Sequence, residues 1–166
     1  MVEISFLKHM ARYNRWQNEN LYSVAEGLPE EERRRERGAF FGSIHATLSH
    51  LLWADRMWMS RFAGTPRPEG GIPESAYLHE SWEEMKRDRA AFDAIIVDWA
   101  DGLDAAWLSG DLTWYSGAAK RDMTKQKSIL LLHFFNHQTH HRGQVHCMLT
   151  QAGVKAHVSD LMAMPT

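Results

Sequence analysis

The chain has 166 residues, 44% of them hydrophobic and 24% charged, and a formal net charge of -2 at pH 7. These values are ordinary for a globular protein, so we expect one domain spanning residues 1–166. A charge so close to zero gives no electrostatic reason to expect nucleic acid or an anionic membrane as a partner.

The sequence predicts a cytoplasmic protein. It contains no run of about 20 uninterrupted apolar residues and no apolar segment of the secretory type. Cys147 is the single cysteine, which excludes an intrachain disulfide and fits a reducing compartment. We expect its thiol to be buried and to take no part in metal binding or catalysis.

Two amphipathic helices are predicted in the first part of the chain. Apolar residues at helical spacing favour a helix over Ile4–Gly27, ended by that glycine and Pro29. The charged run Pro29–Arg37 has mixed signs, which favours a solvated connection or a short helical turn. A second helix is predicted over Gly42–Phe62, where His50 lies on a small, partly polar face beside the apolar stripe.

A third helix follows an irregular segment. The stretch Gly64–Ser75 contains three prolines and three glycines, which interrupt helical structure. Ser81 followed by Glu84 forms a capping box, which opens a helix that ends near Asp101. Beyond it, Leu112–Tyr115 is predicted as one strand of a small β-hairpin before the last helix.

The last long helix is predicted over Ser128–Gly153, with a short turn at Ser159–Met162 after it. It contains five of the ten histidines: His133, His137, His140, His141 and His146. His137 and His141 lie about 40° apart on the helical wheel, so their side chains share one face. Such a pair can bind one cation, as in the HExxH helix of zinc enzymes, although the glutamate of that motif is missing here.

Four long amphipathic segments and little strand pattern predict an all-α protein, a helical bundle. Three of its stretches together resemble those of one family: YNRWQNENLY at residues 13–22, SIHATLSHLLWADRMW at residues 43–58 and HFFNHQTHHRGQ at residues 133–144. In this order they resemble the DinB family of bacterial damage-inducible-like proteins over essentially the whole chain. The most specific part is HxxxHRGQ preceded by NH.

The resemblance implies a four-helix bundle with a long crossover connection, often a homodimer, that holds a divalent metal ion between its helices. In the family pattern one histidine ligand comes from the second helix and two come from the last. These positions are His50, His137 and His141 in this sequence. Related members include enzymes that act with low-molecular-weight thiols, such as thiol S-transferases and a mycothiol-dependent isomerase.

Helix geometry by itself leaves alternatives open at the site. His133 or His140 could replace one of the two ligands on the last helix, or support the site from nearby. A histidine that binds metal needs its other ring nitrogen held by a hydrogen bond, and Asn136, Gln144 and Thr47 are the candidates for that support.

Two further expectations concern the surroundings of the site. The irregular segments Gly64–His79 and Gly102–Lys127 are expected to shape any substrate pocket. Arg142 lies away from the ligand face of its helix and is expected to pair with an acid such as Asp55.

These residues favour a metal-dependent enzyme. Three neutral imidazoles leave at least one position of a Zn²⁺ ion open, as in catalytic rather than structural sites. Water or a thiolate would take that position, which suits a transferase using a low-molecular-weight thiol, or a hydrolase, with a small-molecule thiol or electrophile as substrate. The cofactor is a divalent ion (Zn, Ni, Mn or Fe), and no general base is indicated. The alternatives are a non-catalytic metal-binding scaffold or sensor linked to stress, and a plain helical dimerisation protein.

Overall fold

The computed structural model describes residues 3–165, which form a mainly helical fold with a small two-stranded antiparallel sheet. This agrees with the mainly helical fold and the hairpin predicted from the sequence. Within that range the elements are α1 (Ile4–Glu26), α2 (Glu30–Arg34), α3 (Ile44–Phe62), α4 (Trp82–Gly102), β1 (Asp111–Ser116), β2 (Arg121–Gln126) and α5 (Lys127–Gln151).

Serine side chains fix where two of the long helices begin. Ser43 Oγ accepts a hydrogen bond from the Ala46 amide (3.1 Å) at the start of α3. Ser81 Oγ accepts one from the Glu84 amide (3.3 Å) at the start of α4, as the capping box predicted. Each bond satisfies an amide that has no partner inside its own helix, which sets the helix boundary.

The four long helices share one apolar core. Among the long helices, α1 packs mainly against α4 and α5, and α3 packs mainly against α5 and less against α4. Each long helix contributes side chains that are almost completely buried, such as Leu7, Leu48, Ile96 and Phe134. Burial of one such side chain stabilises the fold by about 1.5–3 kcal/mol, so this core supplies the main driving force for the packing.

Charged side chains of α3 and α4 lie inside this core. Arg89 of α4 donates hydrogen bonds from Nη1 to Asp55 of α3 (2.8 Å) and from Nη2 to Asp93 (2.7 Å). All three side chains are buried. Burial raises the pKa of both carboxyl groups, and the Arg89 guanidinium opposes that rise. The guanidinium is therefore the main charge that favours the ionised form of the two acids inside the core.

Amides from the other two long helices complete this network. Asn14 and Asn18 of α1 donate to Asp93 (3.1 and 3.0 Å), and Gln138 of α5 donates to Asp55 (3.0 Å). Arg142 donates to Asn14 Oδ1 and not to Asp55, so the expected Arg142–Asp55 pair is wrong. Asp55 is instead satisfied by Arg89 and Gln138, which leave Arg142 to the neighbouring asparagine.

The hairpin connects α4 to α5 and brings tryptophan to the bundle. Leu112 pairs with Lys125 and Trp114 with Met123, and β2 leads directly into α5. The Trp114 ring packs edge-on against Trp58 of α3, with ring centroids 5.7 Å apart. This contact supplies the packing that an isolated two-stranded hairpin needs.

The segment between α3 and α4 is irregular but ordered by contacts with α3. It contains a 3₁₀ turn at Glu74–Tyr77, in which Ser75 and Ala76 are buried. Ser49 Oγ of α3 donates to the Ser75 carbonyl (2.7 Å). The last part of the chain forms another 3₁₀ turn at Leu161–Ala163, close to the predicted one.

Over residues 3–165, none of the helices combines the length and the apolar character that a bilayer span requires.

We predict that Arg89→Met destabilises the fold strongly. The change leaves Asp55 and Asp93 buried without their ion-pair partner, which should lower the free energy of unfolding by about 3–5 kcal/mol. Urea unfolding followed by circular dichroism measures it. Arg87→Met, at an exposed position of the same helix, is the matched control and should change stability by less than about 0.5 kcal/mol. Similar losses for the two variants would contradict a structural role for the ion pairs.

Candidate metal centre

Three histidines from two helices meet at one point. His50 lies on α3, and His137 and His141 lie one turn apart on α5. Their ring nitrogens include one set whose members all lie within 4.8 Å of one another. His137 Nε2 is 3.4 Å from His50 Nε2 and 3.2 Å from His141 Nε2. The structure thus brings together the three residues that the sequence singled out.

A serine outside both helices fixes the protonation of His50. Ser75 Oγ donates its one hydrogen to the carbonyl of Ile72 (2.6 Å). The same oxygen lies 2.7 Å from His50 Nδ1, and with the hydroxyl hydrogen on the Ile72 carbonyl the imidazole is the donor in that contact. With its hydrogen on Nδ1, His50 presents an unprotonated Nε2 to the other two histidines.

His141 is oriented in the same way from its own helix. Its Nδ1 lies 2.8 Å from Oε1 of Gln144, an amide oxygen that can only accept. The hydrogen of His141 is therefore on Nδ1, and Nε2 has a free lone pair. The amide nitrogen of Gln144 in turn donates to Nε2 of His140 (3.2 Å). Gln144 thus supports the site as expected, and His140 supports Gln144.

Two of the three separations between these nitrogens, those at His137, fit a tetrahedral metal ion. Ligand nitrogens at about 2.0–2.1 Å from such an ion lie about 3.3–3.4 Å from one another. The two Nε2 to Nε2 distances at His137 are 3.4 and 3.2 Å. A hydrogen on His137 Nε2 could point to only one of its two neighbours, whereas a cation satisfies all three lone pairs. The donor set and its spacing therefore fit a divalent ion.

The surroundings keep the three imidazoles neutral. Burial, with smaller contributions from neighbouring histidines, lowers the pKa of both His50 and His137 to about 3. Burial also lowers the pKa of His141, although its bond to Gln144 opposes the change. Only a neutral imidazole has a lone pair for a metal, so all three are ready to bind one at pH 7.

Aromatic rings enclose the cluster. The Phe41 ring stacks on that of His50, with centroids 3.9 Å apart and planes at 24°, and lies 5.5 Å from the ring of His141. Trp53, one turn after His50, lies 5.9 Å from it on the same helix. These rings limit the access of water to the nitrogens and lower the local polarity.

The remaining histidines of α5 lie outside the cluster. The His133 ring is 5.7 Å from that of His137 and packs against Trp58, so it lies beside the cluster but is not one of its members. His140 is exposed; its Nε2 accepts from Gln144, and its ring packs edge-on against that of His141, with centroids 5.0 Å apart. His146 Nε2 lies 3.2 Å from the carbonyl of His157, away from the cluster.

Three sequence expectations near the site need correction. Cys147 is exposed, not buried, because it lies on a side of α5 that no other long helix covers. Thr47 Oγ1 donates to the Ser43 carbonyl (2.7 Å), so it does not hold a ligand. Asn136 is exposed, and none of the hydrogen bonds of the cluster involves it.

Sequence reasoning missed two residues that contact the cluster, Ser75 and Phe41. Ser75 belongs to the irregular segment that was expected to shape a pocket, but no helical periodicity marks its position. Phe41 precedes Gly42, whose φ of 79° is the left-handed conformation that favours glycine. That glycine was the available signal for a turn that presents the aromatic ring.

Comparison with known proteins assigns the family. The DinB family model matches residues 2–165. Protein DinB of Bacillus subtilis (strain 168) is 26% identical over 156 residues, which cover 93% of this chain and 91% of that protein. The crystal structure of a DinB-like protein from Bacillus cereus ATCC 10987 superposes with a TM-score of 0.63 at 19% identity, covering 86% of this chain and 90% of that one. Since the family model spans nearly all of its residues, the chain belongs to the DinB family.

Proposed function

We propose that His50, His137 and His141 bind one divalent metal ion, with Zn, Ni, Mn and Fe as the candidates. The observation that supports this most directly is the convergence of three Nε2 atoms, with separations of 3.2 and 3.4 Å at His137. Ser75 and Gln144 favour the same assignment, because they keep the hydrogens of His50 and His141 on Nδ1.

The ligand count favours a catalytic site over a structural one. Over residues 3–165, the cluster has three histidines and no carboxylate or thiolate ligand. Structural zinc sites usually use four protein ligands, whereas catalytic sites use three and leave a position for a small molecule. A bound divalent ion would supply Lewis acidity, which lowers the pKa of a thiol or a water molecule at that position.

We infer that the reaction is a transfer to or from a low-molecular-weight thiol, or a hydrolysis. The absence of a carboxylate from the described cluster argues against a side-chain general base beside the metal ligands. The roles of the protein side chains are then to hold three neutral nitrogens in place and to restrict water. Phe41 serves the second role, since its ring covers that of His50.

The helix contacts support a four-helix bundle with crossover connections. α1 and α3 follow each other along the chain, yet each packs mainly against α4 and α5. α1 and α3 thus lie on different sides of the α4–α5 pair, and the chain that connects them has to cross the bundle. A single domain, a homodimer and a cytoplasmic location stay predictions.

We predict about one divalent ion per chain in protein purified without an affinity tag. His137→Ala and His141→Ala each remove one of three ligands and should abolish that occupancy, as measured by inductively coupled plasma mass spectrometry. His146→Ala, on the same helix but outside the cluster, is the control and should keep the metal. The ligand assignment is wrong if His133→Ala removes the metal while His141→Ala does not. Anomalous scattering at metal absorption edges would identify the ion.

We also predict that Gln144→Leu weakens metal binding about 10–100-fold without removing a ligand. The change removes the acceptor that holds the hydrogen of His141 on Nδ1. Competition with a chelator measures the affinity. Gln151→Leu, at an exposed position of α5, is the matched control. Equal affinities for the two variants would show that Gln144 does not orient the ligand.

A screen with glutathione, bacillithiol and mycothiol against electrophilic substrates tests the reaction class. We expect turnover that depends on the metal, that is lost in His137→Ala and that survives in His146→Ala. The rate constants are measured by loss of free thiol. Metal-loaded protein that turns over none of these thiols would instead favour a metal-binding scaffold or sensor.

A further inference from the structure

A cleft that is separate from the histidine cluster lies beside α3 and α4, under the irregular segment that connects them. Its volume is about 470 Å³, within the range of about 300–1,000 Å³ that small-molecule sites occupy. Its walls are mainly apolar and include Trp53, Pro66, Pro68 and Phe92. None of the three clustered histidines lines it.

Two large apolar side chains in this cleft are open to solvent. Leu78 is 41% exposed and Ile95 is 43% exposed, and both line the cleft. One exposed apolar side chain is common on a protein surface. Leu78 and Ile95, however, line the same concave space with apolar walls. A ligand with an apolar body could cover both of them there.

The charges in the cleft favour an anion. Arg67 lines it and is exposed, and no carboxylate of residues 3–165 lies within ion-pair distance of Arg67. Arg56 also lines the cleft but is paired with Asp88 (2.9 Å). Glu69 is the acid among the lining residues. The positive charge of Arg67 is therefore the one without a local partner.

Arg61 is a second cation close to Arg67. Burial and, to a smaller extent, repulsion by the nearby Arg67 guanidinium lower the pKa of Arg61 to about 10. An anion bound beside Arg67 would reduce this repulsion as well as form an ion pair.

We propose that the cleft binds a small organic anion that has an apolar body, with the anionic group at Arg67 and the apolar part between Phe92, Ile95 and Leu78. This site is additional to the metal centre and does not depend on it. Trp53 lies between the two: it lines the cleft, its ring is 5.9 Å from that of His50, and its indole Nε1 donates to the Glu69 carbonyl (2.8 Å).

Octanoate and 1-octanol are a matched pair of probes, because they share an apolar chain and differ in charge. Binding is measured on metal-free protein from the shift of the Trp53 indole N–H signal in a ¹⁵N nuclear magnetic resonance titration, with Trp53→Phe to assign that signal. We expect octanoate to shift it saturably and to bind at least about fivefold more tightly than 1-octanol.

Variants then test the position of the anion. Arg67→Ala should weaken octanoate about fivefold and leave 1-octanol unchanged, while Glu69→Gln should strengthen octanoate. Arg15→Ala, an equal charge change at an exposed position of α1, is the control and should have no effect. Because the protein is metal-free, a metal cannot hold the carboxylate, and His137→Ala should bind octanoate as the wild type does, which separates this cleft from the histidine cluster.

Three results would each overturn the proposal. They are the absence of a saturable shift of the Trp53 signal, equal affinities for octanoate and 1-octanol, and an Arg67→Ala effect no larger than that of Arg15→Ala. Loss of octanoate binding in His137→Ala would also overturn it, by assigning the carboxylate to the histidine cluster.

Discussion

The hydrogen bond from Gln138 to Asp55 fixes where α5 meets α3, and the histidine cluster depends on that register. Gln138 follows His137 directly, and Asp55 lies on the same helix as His50. A slide of one helical turn would move α5 by about 5.4 Å along α3. The nitrogens of His50 and His137 are 3.4 Å apart, so such a slide would separate them beyond the reach of one ion. A buried polar contact beside the site thus specifies its geometry.

That contact places the charge of Asp55 inside the core, where side chains of other helices must compensate for it. Asp55 would be costly to bury alone, and Arg89 of α4 is the cation that compensates for it. Arg89 also binds Asp93, to which the two asparagines of α1 donate. Buried ion pairs add less to stability than an apolar core of the same volume. We infer that this network is retained because it permits one arrangement of the four long helices, the arrangement in which the ligands meet.

Local patterns predicted much of this from the sequence, and contacts between distant segments could not be predicted. The i, i+4 spacing of His137 and His141 and the serine cap of α4 are properties of single helices. The third histidine, His50, came from the family resemblance, because no periodicity says which faces of two helices meet. Ser75 lies in a segment without a repeating pattern, and only the folded path of that segment brings it to His50. Exposure of Cys147 likewise depends on which side of α5 its neighbours cover.

The same segment connects the histidine cluster to the apolar cleft. Its attachments to α3 include the Glu69 carbonyl, which accepts from Trp53, and Ser75, which contacts His50. Arg67, two residues before Glu69, belongs to it as well. An anion at Arg67 and an ion at His50 would therefore act on one stretch of backbone. Coupling between two sites is reciprocal, so whatever an anion does to metal affinity, the metal must do to anion affinity by the same factor. The segment that lacks regular structure is thus the part through which the two sites would influence each other.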